Sequence, residues 1–185
     1  FGGIDIIVHS AGLAISKPLE ETTQKDWSIL QDILVKGQFD LAKQGVAIMR
    51  KQKLGGDYIS IASKNGLVSG PNNVAYGTAK AAQQHMSRLL AAELGKDQIR
   101  ANTVNPDGAI IGSKIWEGDW AAGRAKAYGI TVEELPAFYA KRNLLNKIIY
   151  PSDIANGVFA YVGVLEKSTG NIINVDGGMA NAFVR

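Results

Sequence analysis

Asp57-Tyr58-Ile59-Ser60-Ile61-Ala62-Ser63, then a loop rich in Asn, Gly and Pro (Asn65, Gly66, Gly70, Pro71, Asn72, Asn73), then Val74-Ala75-Tyr76-Gly77-Thr78-Ala79-Lys80 and on to Leu94, reads as strand, loop and helix. The first run is short, β-branched and aromatic, as a strand requires. Asn, Gly and Pro break it, and alanine-rich sequence carries the helix to Gly95, a stop signal. Tyr76 and Lys80, four residues apart, lie one above the other on a single helix face. Ser63, thirteen residues before Tyr76, ends the strand and can reach the same place. Open α/β sheets bind their ligands at that edge, outside the C-terminal ends of the strands.

Working outward, Ile4-Asp5-Ile6-Ile7-Val8 has the near-continuous apolar pattern of a parallel strand covered on both faces, in a run that opens at Phe1. His9-Ser10-Ala11-Gly12 ends it with small residues that let a ligand approach the backbone. Residues 19–53 read as mostly helical, capped by Thr22 or Thr23 with Asp26 in the first turn, and Trp27, Leu30, Leu34, Leu41 and Ile48 mark its apolar stripe. Arg100-Ala101-Asn102-Thr103-Val104-Asn105-Pro106 is a third strand ended by its proline. The polar and aromatic stretch 114–145 accommodates two short helices, the second with Thr131 and Glu134 as a capping box. Pro151-Ser152-Asp153 opens a further helix, residues 168–175 form a last strand, and Asp176-Gly177-Gly178 turns the chain. Alternating strands and helices define an α/β class with a doubly wound, Rossmann-like parallel sheet.

Composition narrows the function classes. The 185 residues carry a net charge of +3 without a basic run, so nucleic-acid binding is not indicated. No apolar stretch has the length of a membrane span, no signal peptide is visible, and a cytoplasmic enzyme is expected. Without cysteine there are no disulfides or thiolate metal sites, and two isolated histidines, His9 and His85, do not build a metal centre.

Taken together, the ordered motifs resemble the short-chain dehydrogenase/reductase family along nearly the whole chain. They are His9-Ser10-Ala11-Gly12, Ser63 with Gly66, Tyr76-Gly77-Thr78-Ala79-Lys80, Arg100-Ala101-Asn102, Asn105-Pro106, Pro151-Ser152-Asp153-Ile154-Ala155 and Thr169-Gly170-Asn171 through Gly178. Asn105-Pro106-Asp107 with Gly112-Ser113-Lys114-Ile115-Trp116 also looks like the dehydrogenase half of bifunctional rhamnulose-1-phosphate aldolase/lactaldehyde dehydrogenase proteins. The resemblance implies an oxidoreductase that moves a hydride between NAD or NADP and a small alcohol or carbonyl, lactaldehyde being the guess from the narrower likeness. It implies Ser63, Tyr76 and Lys80 as catalytic, and Ser10, Ala11, Gly12, Ile61, Tyr76, Lys80, Pro106, Asp107 and Ala109 as cofactor-binding. It also implies a homodimer or homotetramer through the two long helices and the last strand.

Departures from the family pattern carry equal weight. Residues 1–185 correspond to the C-terminal part of one such domain, starting at about its fourth strand. The Gly-rich phosphate loop and the NAD/NADP-choosing residue lie outside that part, so the chain alone is expected to bind cofactor very weakly and to be inactive. Leu34 stands where an Asn usually completes a catalytic tetrad, His9 replaces the first Asn of the Asn-Asn-Ala-Gly motif, and Asp107 stands where most relatives have Gly. Ile111 occupies the place of a Thr that often contacts the nicotinamide amide, with Ser113 as a substitute. The alternative is a catalytically impaired nucleotide-binding or assembly module of the same fold.

Chemically, alcohol oxidation needs a base for the hydroxyl proton, and Tyr76 is the candidate. A free phenol with pKa about 10 is a poor base near neutrality. An ammonium about 4 Å away at an effective dielectric near 20 contributes roughly 4 kcal/mol, on the order of 2–3 pK units. Lys80 is expected to supply that field and thereby acidify Tyr76. Ser63 is expected to donate to the substrate oxygen. Trp116 and Trp120 read as lid or core residues, or as an apolar wall over the substrate.

Overall fold

The computed structural model describes residues 2–68 and 70–183; Phe1, where the first apolar run opens, lies outside them. Four strands, β1 (Ile6–His9), β2 (Gly56–Ile61), β3 (Ile99–Pro106) and β4 (Ile172–Val175), form one parallel sheet in the order β1-β2-β3-β4. Helices α1 (Gln24–Leu30), α2 (Gly37–Gln52) and α3 (Val74–Leu94) precede β3, while α4 (Asp119–Tyr128), α5 (Leu135–Ala140) and α6 (Pro151–Gly163) lie between β3 and β4. Successive side chains of a strand point to opposite faces. Tyr58 accordingly packs with Ile7, Val46, Met49, Leu94 and Ile99, whereas its neighbour Ile59 packs with Val104 and Tyr161 of α6. A sheet covered on both sides is the doubly wound arrangement the sequence predicts. β1 departs from it: Ile7 is buried, but Ile6 and Val8 are 49% and 41% exposed, since one face of this outer strand carries no cover among the described residues.

Helix α1 starts at the capping box, with Thr23 Oγ1 accepting from Asp26 N–H (3.1 Å) and the Asp26 carboxylate accepting from Thr23 N–H (3.0 Å). α1 runs into α2 through a six-residue π-helical segment, Gln31–Lys36. That segment corrects the expected stripe. Leu30 and Leu34 are buried, but Trp27, Leu41 and Ile48 are largely exposed, and Gln38, Ala42, Gly45, Val46 and Met49 face the sheet instead. A wide π turn advances the helix phase, so a seven-residue repeat drawn across it drifts off the buried face. At the end of α3, Gly95 keeps a right-handed conformation and begins a short 3-10 turn, and Gln98 takes the left-handed one (φ 58°) before β3. In the connection to α5, the Glu134 carboxylate accepts from Thr131 N–H (2.8 Å), with the α-helix proper beginning at Leu135.

Arg100 and Asn102 on β3 explain one of the sequence motifs. The Arg100 guanidinium donates to the carbonyls of Leu165 (2.7 Å), Ser168 (3.3 Å) and Tyr161 (2.9 Å), and lies 2.7 Å from the Asp57 carboxylate on β2. Asn102 donates to Ser168 O (2.8 Å) and accepts from Asn171 N–H (3.0 Å). Together they fasten the end of α6 and the start of β4 to the sheet. Arg100→Met, which strands these acceptors, is expected to lower stability by about 3 kcal/mol, read as a drop in the urea midpoint with an unchanged m value.

Candidate active site

The chain leaves β2 at Ile61 and reaches Ser63 in an extended conformation. Ser63 caps a 3-10 turn (Lys64–Gly66), its Oγ accepting from Asn65 N–H at 3.2 Å. Gly66 is needed here: a Cβ would sit 2.9 Å from the backbone carbonyl carbon of Lys80, so only glycine lets the turn press against α3. α3 then brings Tyr76 and Lys80 to the sheet edge on one face, one turn apart. All three side chains are buried. Tyr76 is close enough to Ser63 for the serine to bear on its ionisation. Lys80 Nζ donates to Ile61 O (3.3 Å) and stands 5.7 Å from the centre of the Tyr76 ring.

Two glutamines hold this face in place. Gln84 Nε2 donates to Ser63 O (2.8 Å) and to Asn105 Oδ1 (3.1 Å), fixing the serine turn to β3. Gln83 Nε2 donates to Leu34 O (2.8 Å) and meets His9 Nδ1 at 3.3 Å, tying α3 to the π-helical segment and to β1. Neither glutamine carries a periodic or motif signal in the sequence. Leu34 is fully buried among Leu30, Ala75, Tyr76 and Ala79, so where the family pattern has an Asn this chain has an apolar buttress for the tyrosine.

Ser63, Tyr76 and Lys80 open onto a cavity of about 690 Å³. Each position assigned to the cofactor lines the same space: Ser10, Ala11 and Gly12 after β1, Ile61 at the end of β2, and Pro106, Asp107 and Ala109 after β3. A Cβ on Gly12 would meet only Ser10 O, at 3.9 Å, so this wall offers room beside Lys80. The fit to a nicotinamide ring and ribose is thus open on the side where Lys80 could hold hydroxyls. The same cavity is also lined by residues the sequence reading left largely unassigned, with Trp116 and Trp120 together with Lys64, Arg124, Tyr139 and Arg142. Gly108 lies beneath them, where a Cβ would come within 2.9 Å of both Trp116 and Tyr139. Ser113 lines the cavity, whereas Ile111 is exposed away from it, and His85 lies on the surface beside Arg88.

Electrostatically, the site differs from the expected acidified phenol. Burial pushes the Tyr76 phenol up to about 12; the Ser63 hydrogen bond pulls it down and the Asp107 charge pushes it up. Burial likewise pushes Lys80 down to about 7. Desolvation is the leading cause for both groups, because burial disfavours the charged form of each. Asp107 does not point to solvent: its carboxylate lies 3.5 Å from Lys64 Nζ, with both side chains buried. The substitution of Asp for the family's Gly is therefore paired with a cation next to Ser63. His9 is buried, and its pKa falls through burial and then through the Lys80 charge.

With this geometry in hand, comparisons with known proteins agree. The family model described as enoyl-(acyl carrier protein) reductase matches residues 1–180. The chain belongs to this family of short-chain dehydrogenases/reductases. It is 43% identical over 186 residues to the uncharacterized oxidoreductase YuxG of Bacillus subtilis (strain 168), covering 100% of this chain and 27% of that protein. The sorbitol-6-phosphate 2-dehydrogenase SrlD of Erwinia amylovora superposes with a TM-score of 0.87 at 26% identity, over 97% of this chain and 70% of that one. A short chain dehydrogenase of Mycobacterium paratuberculosis bound to NAD superposes with a TM-score of 0.84 at 28% identity, over 98% and 66%. The chain thus spans about a quarter of YuxG and about two thirds of the solved relatives.

The buried lysine has a measurable consequence. Its folded pKa of about 7 lies below the ordinary 10.5, so between roughly pH 7 and 10 the unfolded chain binds more protons and stability rises with pH. Lys80→Met is expected to flatten that rise, leaving the smaller slope from Lys64, whose pKa burial also lowers. Urea midpoints across this pH window check it; a parallel rise in both proteins would contradict the buried ammonium.

Proposed function

We propose that this chain carries the reaction centre of an NAD- or NADP-dependent oxidoreductase that interconverts a small alcohol and its carbonyl. The observation carrying this reading is the convergence of Ser63, Tyr76 and Lys80 on one cavity, beside the open wall formed by residues 10–12 and 106–109. A bound nicotinamide supplies the hydride acceptor or donor and, when oxidised, a positive charge beside the phenol. Family membership and the NAD-bound relative support that choice of cofactor.

In the reductive direction Tyr76 Oη donates its proton to the carbonyl oxygen as the carbon takes up hydride. Burial keeps the phenol protonated, so the proton is on Tyr76 to be given. In the oxidative direction the alcohol proton passes to the ionised form of Tyr76, which the ammonium of Lys80 favours. Ser63 Oγ donates to the substrate oxygen and stabilises its developing charge. Lys80 is placed to hold the ribose hydroxyls. Lactaldehyde is the substrate suggested by the likeness of residues 105–116. We further assign the protein to the cytoplasm, as a homodimer or homotetramer that would cover the exposed Phe39 of α2 and Leu89 of α3.

Leu34 favours a second reading, an impaired nucleotide-binding or assembly module, because it offers the relay no side-chain polar atom. A Tyr76→Phe variant of the full-length polypeptide separates the two. Turnover, followed by the absorbance of reduced nicotinamide over a panel of alcohols and aldehydes, should fall about 1,000-fold with cofactor affinity preserved. Equal turnover would remove Tyr76 from the mechanism, and no turnover by the unaltered protein on any member would favour the module.

A further inference from the structure

Beyond the Ser63, Tyr76 and Lys80 cluster, the cavity has a second pole. Arg124 on α4 and Arg142 after α5 line it with Lys64. The Arg124 guanidinium lies 4.7 Å from the Tyr128 ring centre and 5.7 Å from that of Trp120, and its Nη2 donates to the Tyr128 hydroxyl. Arg142 lies 4.4 Å over the Tyr139 ring. Aromatic faces hold guanidinium planes in position but bring no counter-charge. Arg124 Nε and Arg142 Nη1 are buried donors with no acceptor among the described residues.

The charges do not balance. Among the described side chains lining the cavity, Asp107 is the one carboxylate, against Lys64, Lys80, Lys114, Arg124 and Arg142. Asp107 is already engaged by Lys64. Lys64 is held down first by burial, pulled up by Asp107 and pushed down by Arg142, so these groups sense one another within one low-dielectric space. Asp107 also acts on Tyr76, which places the basic pole within electrostatic reach of the reacting phenol. Arg124 and Arg142 are half-buried, a buried donor without an acceptor is costly, and a guanidinium fork matches the paired oxygens of a carboxylate or phosphate.

We propose that Arg124 and Arg142, with Lys64, form a subsite for an anionic group on the substrate, so that the preferred substrate is a short hydroxy or oxo compound ending in a phosphate ester or a carboxylate. This rests on the alcohol/carbonyl reading above, and it ranks such a compound ahead of uncharged lactaldehyde.

The test is a binding titration of the full-length polypeptide, followed by the fluorescence of Trp116 and Trp120 in the cavity wall, with glycerol 3-phosphate, glycerate and glycerol as probes. At least one anion should bind about tenfold or more tightly than glycerol, and Arg142→Gln and Arg124→Gln should each remove most of that margin while Arg142→Lys keeps part of it. Preference for glycerol 3-phosphate identifies a phosphate ester, and preference for glycerate a carboxylate. Equal binding of all three, or an unchanged margin in both Gln variants, overturns the subsite. Should the variants lose helix content, competition on the unaltered protein decides: inorganic phosphate must displace the anion, and chloride at equal ionic strength must not. Binding needs no turnover, so anion binding without nicotinamide reduction sinks only the reaction, and turnover without anion preference sinks only the subsite.

Discussion

A helix that turns amide, ammonium and phenol groups towards a sheet must find partners for them there, and α3 finds them at the C-terminal ends of the strands. Lys80 reaches the Ile61 carbonyl, Gln84 reaches Ser63 and Asn105, and Gln83 reaches Leu34 and His9. Each link joins α3 to a different element: β2, the serine turn, β3, the π-helical segment and β1. An unpaired buried polar group would be expensive, so these links fix one docking position for the helix. The meeting of Ser63, Tyr76 and Lys80 is a by-product of that docking. Gly66, by letting the serine turn lie against the helix backbone, completes the closure.

Burial then sets the chemistry. The same exclusion of water raises the Tyr76 phenol and lowers the Lys80 ammonium, driving their proton affinities apart and each group toward its neutral form. A charge that enters the cavity therefore acts on two groups that burial holds neutral, and it shifts that balance. The Lys64–Asp107 pair is felt on both sides, Asp107 acting on the Tyr76 phenol and Arg142 acting on Lys64. One carboxylate therefore couples the two ends of the cavity.

Much of this was legible in the sequence. The Tyr76 and Lys80 spacing, the placement of Ser63 at a strand end and the small residues at 10–12 are local patterns whose geometry follows from helix and strand periodicity alone. The apolar stripe drawn over residues 19–53 was misread because a π turn changes the period within one helix, and no residue type announces it. Gln83 and Gln84 carry no signal in the sequence, since amides show their worth only when a partner is known. The continuous apolar run of β1 signalled a strand covered on both faces, whereas one face carries no cover among the described residues, since the pattern does not record what lies beside an outer strand.

By itself, then, the chain of residues determined the parallel α/β class, the order of its elements and the three polar groups that meet beside α3, because each depends on interactions a few residues apart. Tertiary structure decided that Asp107 pairs with Lys64, that Leu34 packs against Tyr76, that burial rather than the neighbouring lysine governs the phenol, and that Arg124 and Arg142 share a cavity with it. Those outcomes depend on distances between segments tens of residues apart and on how much water the packing removes, and neither quantity is written in any local pattern.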